Sequence, residues 1–195
     1  MSNNLIVHRH LAIDDAEWYC QMLNSIDIIV EVDTVLHPAS LANVQKSLAD
    51  GSMNSTNNLS FVFETDGILV GVGLIRNIQW NRGSCDLHII APECSNDTKW
   101  KTEVIALALC SICFDSLSLH RVSMYSLESS QRDVFSIFLG IGAVHEATLR
   151  QQVYRVGRYW DKYMFSILAT EWLSIMGNHR ATLANIVCAA RAPRN

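Results

Sequence analysis

The chain has 195 residues, a formal net charge of -4 and a hydrophobic fraction of 49%. That much apolar sequence can close a full core, which excludes a disordered chain and points to one domain with at most an appendage. The acidic balance excludes a broad basic field for non-specific nucleic-acid binding. The longest apolar stretch, Val104 to Phe114, is well short of the roughly 20 residues that a membrane span needs. The polar start MSNN carries no secretory pattern, so a cytoplasmic location without nucleic-acid or membrane partners is expected.

In chain order, Leu5 to Leu11 reads as a strand, and Asp14 to Asn24 as a helix with aspartates at its start and Trp18, Met22 and Leu23 at helical spacing. His37 to Gly51 reads as a second amphipathic helix, with Ser40 as cap and Gly51 as stop. A polar loop leads into a hairpin of Leu59 to Thr65 and Ile68 to Trp80 around Asp66-Gly67, followed by a strand over Ser84 to Pro92. Lys99 to Leu117 is a long helix whose broad apolar face implies burial on a sheet. A strand from His120 to Leu127, a helix from Ser129 to Gly142 and a closing hairpin around Val156-Gly157 complete the unit. The tail predicts a short helix near Ala181 to Ala190, with Leu183, Ile186 and Val187 on one face as a candidate homodimer surface.

This order predicts an α/β fold. A mixed, mostly antiparallel sheet carries helices on both faces, and one right-handed β-α-β crossover runs through the long helix. The domain is expected over residues 5–172, with a helical extension over 173–195. The six cysteines (Cys20, Cys85, Cys94, Cys110, Cys113 and Cys188) are scattered, which does not suit a disulfide framework. Cys110 and Cys113 form a CxxC within a helical pattern and read as core residues. His8, Arg9 and His10 lack a third ligand at metal spacing, so no metal is expected.

Several motifs in sequence resemble the GNAT acyltransferases, and more narrowly their branch of ribosomal-protein N-terminal acetyltransferases, the Rim type. These are Thr102-Glu103 at the head of the long helix, His120-Arg121 opening a strand, Gly142 closing a helix, Tyr154-Arg155-x-Gly157-Arg158-Tyr159-x-Asp161 across the hairpin, and Glu171-Trp172 at the end. The resemblance spans roughly residues 5 to 172. It implies an enzyme that binds acetyl-CoA as co-substrate between two splayed strands and moves the acetyl group directly to an amine. The acceptor would be a peptide, a protein N-terminus or a small molecule.

The resemblance also implies where the parts lie. The pyrophosphate would meet backbone N–H groups at the start of the long helix, over Asn96, Asp97, Thr98, Lys99, Trp100, Lys101 and Thr102. Backbone of the splayed strand at Ile89 and Ile90 would face the thioester, and Gln131 and Phe138 of the next helix would line the cofactor. The loop SNDTKWKTEV, Ser95 to Val104, departs from the family in having no glycine. Phe138 stands where many members place a proton-donating tyrosine. Asp86 and His88 alternate on one strand face beside the expected acetyl group and are the candidates for removing the ammonium proton. Arg150, Arg155 and Arg158 cluster near the closing hairpin, either as a solvated face or as a frame for an acidic acceptor. The alternative reading is a GNAT-fold protein that has lost catalysis and acts as a binding or assembly module.

Overall fold

The computed structural model describes residues 5–25, 38–91, 98–128, 134–155 and 157–188. Strand β1 (Ile6–His10) passes through one tight helical turn, Ile13–Asp15, into helix α1 (Ala16–Leu23). Asp15 organises this junction. Its carboxylate accepts from the Ala12 N–H at 2.9 Å and from both terminal nitrogens of Arg9 at 2.6 and 2.7 Å. This bidentate pair holds the Arg9 guanidinium above its ordinary pKa and ties the helix to the strand. Helix α2 (Leu41–Ala49) starts at Ser40, whose hydroxyl accepts from the Asn43 N–H. This is the N-cap expected from the sequence.

Strands β2 (Leu59–Thr65) and β3 (Ile68–Gln79) form a hairpin. Asp66 and Gly67 both hold positive φ, at 51° and 76°, the geometry of the Asp-Gly hairpin turn. Strand β4 (Ser84–Ile90) follows, then helix α3 (Thr98–Ser111), which runs on into a π-helical turn over Ile112–Ser116. Strand β5 (Arg121–Leu127), helix α4 (Val134–Gly140), and strands β6 (Val144–Arg155) and β7 (Arg158–Leu168) come next. Helices α5 (Ala169–Asn178) and α6 (Arg180–Leu183) and strand β8 (Ile186–Cys188) end the described chain.

The eight strands form one sheet in the order β6-β7-β5-β4-β3-β2-β1-β8. Pairing is antiparallel except at β4–β5 and β1–β8. The first parallel pair is the crossover through α3. On one face, α3, α4 and α5 enclose the main core around Phe63, Leu107, Leu109, Met124, Phe165 and Trp172. On the other face, α1 and α2 pack on Val62, Val72, Leu74 and Ile90. This second core draws on β2, β3 and β4 but on no residue of β5, β6 or β7.

The tail differs from expectation. Residues predicted as a helix near 181–190 instead give the four-residue α6 and then a strand paired in parallel with β1, Ile6 opposite Ile186. Successive β-branched residues, Ile186 and Val187, suit an edge strand. The Ile6 N–H donates to the Asn185 carbonyl at 2.8 Å and begins that pairing. Ile175 is buried in the main core, with Leu183 and Ile186 packed against it, so residues beyond Trp172 belong to the same sheet and core. The helical face suggested as a dimer surface is absent from the described residues.

Cys110 and Cys113 lie in the core, and the Cys113 Sγ meets that of Cys85 at 3.5 Å. Burial pushes the Cys110 thiol pKa upward. The first-strand histidines pack on aromatics, His10 stacked on Phe61 at 4.6 Å between centroids. Arg9 points to the opposite face.

Two glycines let α3 settle on the sheet. A Cβ at Gly71 would stand 2.6 Å from Ile105 Cδ1 and 3.1 Å from the Ile90 carbonyl, and one at Gly73 would stand under 3.0 Å from Leu109 and Phe63. Gly73→Val is therefore expected to destabilise the protein by about 1–3 kcal/mol through overpacking. The check is a lower denaturant midpoint at unchanged m-value.

Candidate functional site

The site begins where β4 and β5 part. At the base, the Gly83 carbonyl accepts from both His120 N–H at 2.7 Å and Arg121 N–H at 3.0 Å. From there the parallel register runs through Ser84–Arg121, Cys85–Val122 and Asp86–Ser123, and ends at Leu87–Met124. Both strands continue beyond this point, β4 to Ile90 and β5 to Leu127, and each stays paired on its outer side. Ile90 still faces Val72 of β3, and Leu127 still faces Lys162 of β7. A wedge-shaped opening results between two strands whose outer neighbours keep them straight. Among the described residues, β4 and β5 pair with each other no further than Leu87 and Met124, so their inner edges diverge from there.

Helix α3 starts at Thr98 and runs 14 residues, so its first N–H groups lie at the open end of the wedge. Lys99 is exposed, Lys101 half-buried and Thr102 buried. Trp100 packs on the main core. Asn96, Asp97 and Gln131 lie outside the described residues. Ile89 is half-buried against the main core and Ile90 is fully buried in the second one, so both offer the wedge only backbone. Phe138 is buried, its ring edge-to-face with Phe165 at 5.4 Å.

Asp86 and His88 do lie on one face of β4, both half-buried. Arg76 stands opposite Asp86 in register, yet no ion pair forms. The Arg76 guanidinium turns away to the Leu59 carbonyl and the Ser60 hydroxyl, both at 3.0 Å, and burial lowers its pKa. Asp86 accepts instead from the Asn77 side-chain amide at 2.9 Å and from the Tyr125 hydroxyl at 3.4 Å. His88 stacks on the same tyrosine, with ring centroids 6.3 Å apart and planes at 26°. Lys162 Nζ lies 4.1 Å from the Tyr125 ring centroid on the β7 side, a cation–π contact. His88 and Tyr125 are the first residues of their strands beyond the last β4–β5 pair, so this polar group sits at the apex of the wedge.

The sequence reading missed Tyr125, Asn77 and Lys162. Alternation along β5 puts Tyr125 on the Asp86 face once the register is known, but nothing in the sequence alone states that register. On the opposite face, a cavity of ≈ 400 Å³ opens between the end of β5 and α4. Ser126, Glu128, Val134, Phe135, His145 and Tyr163 line it. Burial, with Glu128 and Asp161 nearby, raises the Tyr163 phenol pKa. The wedge is thus bordered by a roomy helix-side cavity and a polar, strand-side group.

This architecture is the GNAT fold. The spermidine N-acetyltransferase of Vibrio cholerae, solved in complex with CoA and spermine, is similar with a TM-score of 0.76 over 87% of this chain and 98% of that one, at 18% identity. The SpeG spermidine/spermine N-acetyltransferase of the same organism, in complex with manganese ions, gives 0.71 over 88% and 97%, at 18% identity. No protein-family model matches the chain, and no curated protein matches it by sequence.

Asn77 holds a positive φ of 52° while its side chain supports Asp86. Asn77→Gly is expected to keep the stability of the fold while releasing Asp86. Asn77→Ala should cost about 1–2 kcal/mol, because a Cβ without a local hydrogen bond is strained there. Paired denaturant titrations of the two variants check this.

Proposed function

We propose that the protein is an acetyl-CoA-dependent N-acetyltransferase that moves an acetyl group directly to an amine. The observation that carries this reading is the parting of β4 and β5 beyond Leu87–Met124 while both strands stay paired outside. The residues at the wedge fit the co-substrate. The diverging strand edges leave room for an extended, amide-bearing arm, and the first N–H groups of α3 with Lys99 and Lys101 suit a pyrophosphate. When bound, acetyl-CoA supplies a thioester as acyl donor.

The chain's own residues then have three tasks. Backbone N–H groups on the open edge of β4, at Ile89 or Ile90, donate to the thioester oxygen as negative charge grows there. Asp86 and His88 take the proton from the acceptor's ammonium, directly or through a water, because only the neutral amine attacks the carbonyl carbon. Tyr125 and Asn77 position Asp86 for that transfer. As the C–N bond forms, the C–S bond breaks. The departing thiolate needs little help, since a thiol of pKa about 8.5 is a fair leaving group, and this suits a site in which Phe138 replaces a proton donor.

The amine class is the finer part of the reading. Both solved structures above are polyamine acetyltransferases by name, whereas the motifs at His120-Arg121, Gly142 and the closing hairpin resemble those of enzymes acting on protein N-termini. A cytoplasmic location fits the four free cysteines among the described residues, all buried. Residues 5–172 form the proposed transferase unit, with 173–188 completing its core and sheet edge. A second reading, a catalytically silent binding module, draws on the glycine-free loop over Ser95 to Val104 and on the lack of a phenol at Phe138.

Calorimetric titration with acetyl-CoA and with free CoA separates the two. Micromolar binding of both is expected, and absence of binding up to millimolar would sink the transferase reading. Given binding, Asp86→Asn and His88→Ala should each leave CoA affinity unchanged. The more important of the two should lower acceptor kcat/KM by about 10²–10⁴-fold.

A further inference from the structure

The cavity on the helix face has its own set of walls. Ser126, Leu127 and Glu128 come from the end of β5, Val134 and Phe135 from the start of α4, His145 from β6 and Tyr163 from β7. None belongs to β4 or α3, which border the wedge on its other side. At ≈ 400 Å³ the cavity falls in the range of small-molecule pockets, about 300–1,000 Å³. The acetyl transfer proposed above gives these side chains no task.

Three rings form its aromatic side. Phe135 and Tyr163 meet at 82° with centroids 5.0 Å apart, and His145 meets Tyr163 at 75° and 5.8 Å. Rings set at such angles make adjoining walls rather than a stack. Thr148 steadies the imidazole wall through a 3.3 Å hydrogen bond between its hydroxyl and His145 Nε2. Leu127 and Val134 extend the apolar surface.

Oxygen atoms supply the rest. Ser126 is 5% exposed, and its one hydrogen bond, to the Leu127 carbonyl, is 3.5 Å long. That lies beyond the usual range of about 2.5–3.0 Å for a hydroxyl donor, and a buried hydroxyl so poorly paired costs free energy until a better partner arrives. Tyr163 and Glu128 bring a phenol and a carboxylate to the same lining. Asp161, two residues before Tyr163 on the same strand face, adds a second carboxylate. Among the described residues neither carboxylate takes part in an ion pair. No described lysine or arginine lines the cavity, and the charges that act on the Tyr163 phenol, those of Glu128 and Asp161, are both negative.

From this arrangement we infer that the cavity is a second binding site, for an organic ammonium ion with an apolar body. The head sits against the Glu128 carboxylate and the Ser126 hydroxyl, and the ring faces add cation–π attraction. The body lies on Phe135, Leu127 and Val134. A metal ion does not suit the site, because among the described residues no group of three or more His, Cys, Asp or Glu is placed to hold one. An anion would meet two carboxylates. A polyamine would set its further ammonium groups on the apolar wall, where nothing pairs them. The cavity lies on the sheet face opposite Asp86, so its occupant is not the amine that is acetylated, and the inference stands whether or not the chain transfers acetyl.

The probe is phenethylammonium, with 2-phenylethanol as an uncharged counterpart of nearly equal shape. Titration of the full-length protein is followed by calorimetry and by the imidazole NMR signals of His145. Saturable binding is expected, with shifts at His145 and a Kd on the order of 0.1–1 mM, the range open to so small a ligand. Phenylethanol should bind about tenfold more weakly. Glu128→Gln, at an exposed position, should raise the phenethylammonium Kd about five- to tenfold, and Phe135→Leu about threefold. Asp86→Asn should leave it unchanged. Unfolding midpoints of the variants verify that lost affinity is not lost fold.

Equal affinity for phenylethanol, full affinity in Glu128→Gln, tighter binding of spermidine than of phenethylammonium, or no saturable binding up to about 10 mM would each overturn the inference. So would loss of binding in Asp86→Asn, which would place the ligand at the wedge.

Discussion

The structure depends on a parallel strand pair that is made at one end and unmade at the other. Gly83 ties the starts of β4 and β5 together through one carbonyl that accepts two N–H groups. Four residue pairs later the ladder stops. Beyond that point β3 and β7 hold the two strands through Ile90 and Leu127 on their outer sides, so the wedge stays open without the strands collapsing together. Everything proposed for function uses that opening. It leaves room for an extended ligand, brings the N-terminus of α3 to its mouth and puts His88 and Tyr125 at its apex.

Packing around the wedge divides labour between the two faces. On the helix side, α3 lies close against β3 because Gly71 and Gly73 present no side chain, and a continuous apolar core forms down to Trp172. On the other side, the small second core stops at β4, so the polar residues of β5 and β7 are not covered by α1 or α2. The same alternation that buries Phe165 and Ile167 sends Lys162 and Met164 to the open face. Core formation and the layout of the polar face are therefore two results of one register.

Much of the architecture was legible in the chain. Periodicity and turn chemistry located the strands, the long helix and the Asp66-Gly67 hairpin, because these signals are local. Ser40 and Gly51 marked the limits of α2 for the same reason, a hydroxyl cap at one end and a positive φ of 75° at the other. The tail was misread. Ile186 and Val187 sit at spacing compatible with a helix, and only the free edge of β1 makes them a strand. The partners of Asp86 were also beyond local reading. An arginine stands opposite it in register, yet burial of Arg76 under the loop around Met53 directs that guanidinium elsewhere.

By itself, then, the sequence determined the kinds of element and their order, and it placed Asp86 and His88 together on one strand face, since a period of two requires nothing beyond neighbouring residues. Tertiary structure decided which residues join them. Tyr125 comes from 39 positions along the chain, through a crossover whose register is set by packing of α3 and by the bond pattern at Gly83. Lys162 reaches Tyr125 only because β7 inserts beside β5 rather than beside β4. Pairings of that range have no local signature. They follow from how whole faces of apolar residues are buried, and the polar site forms where that burial ends.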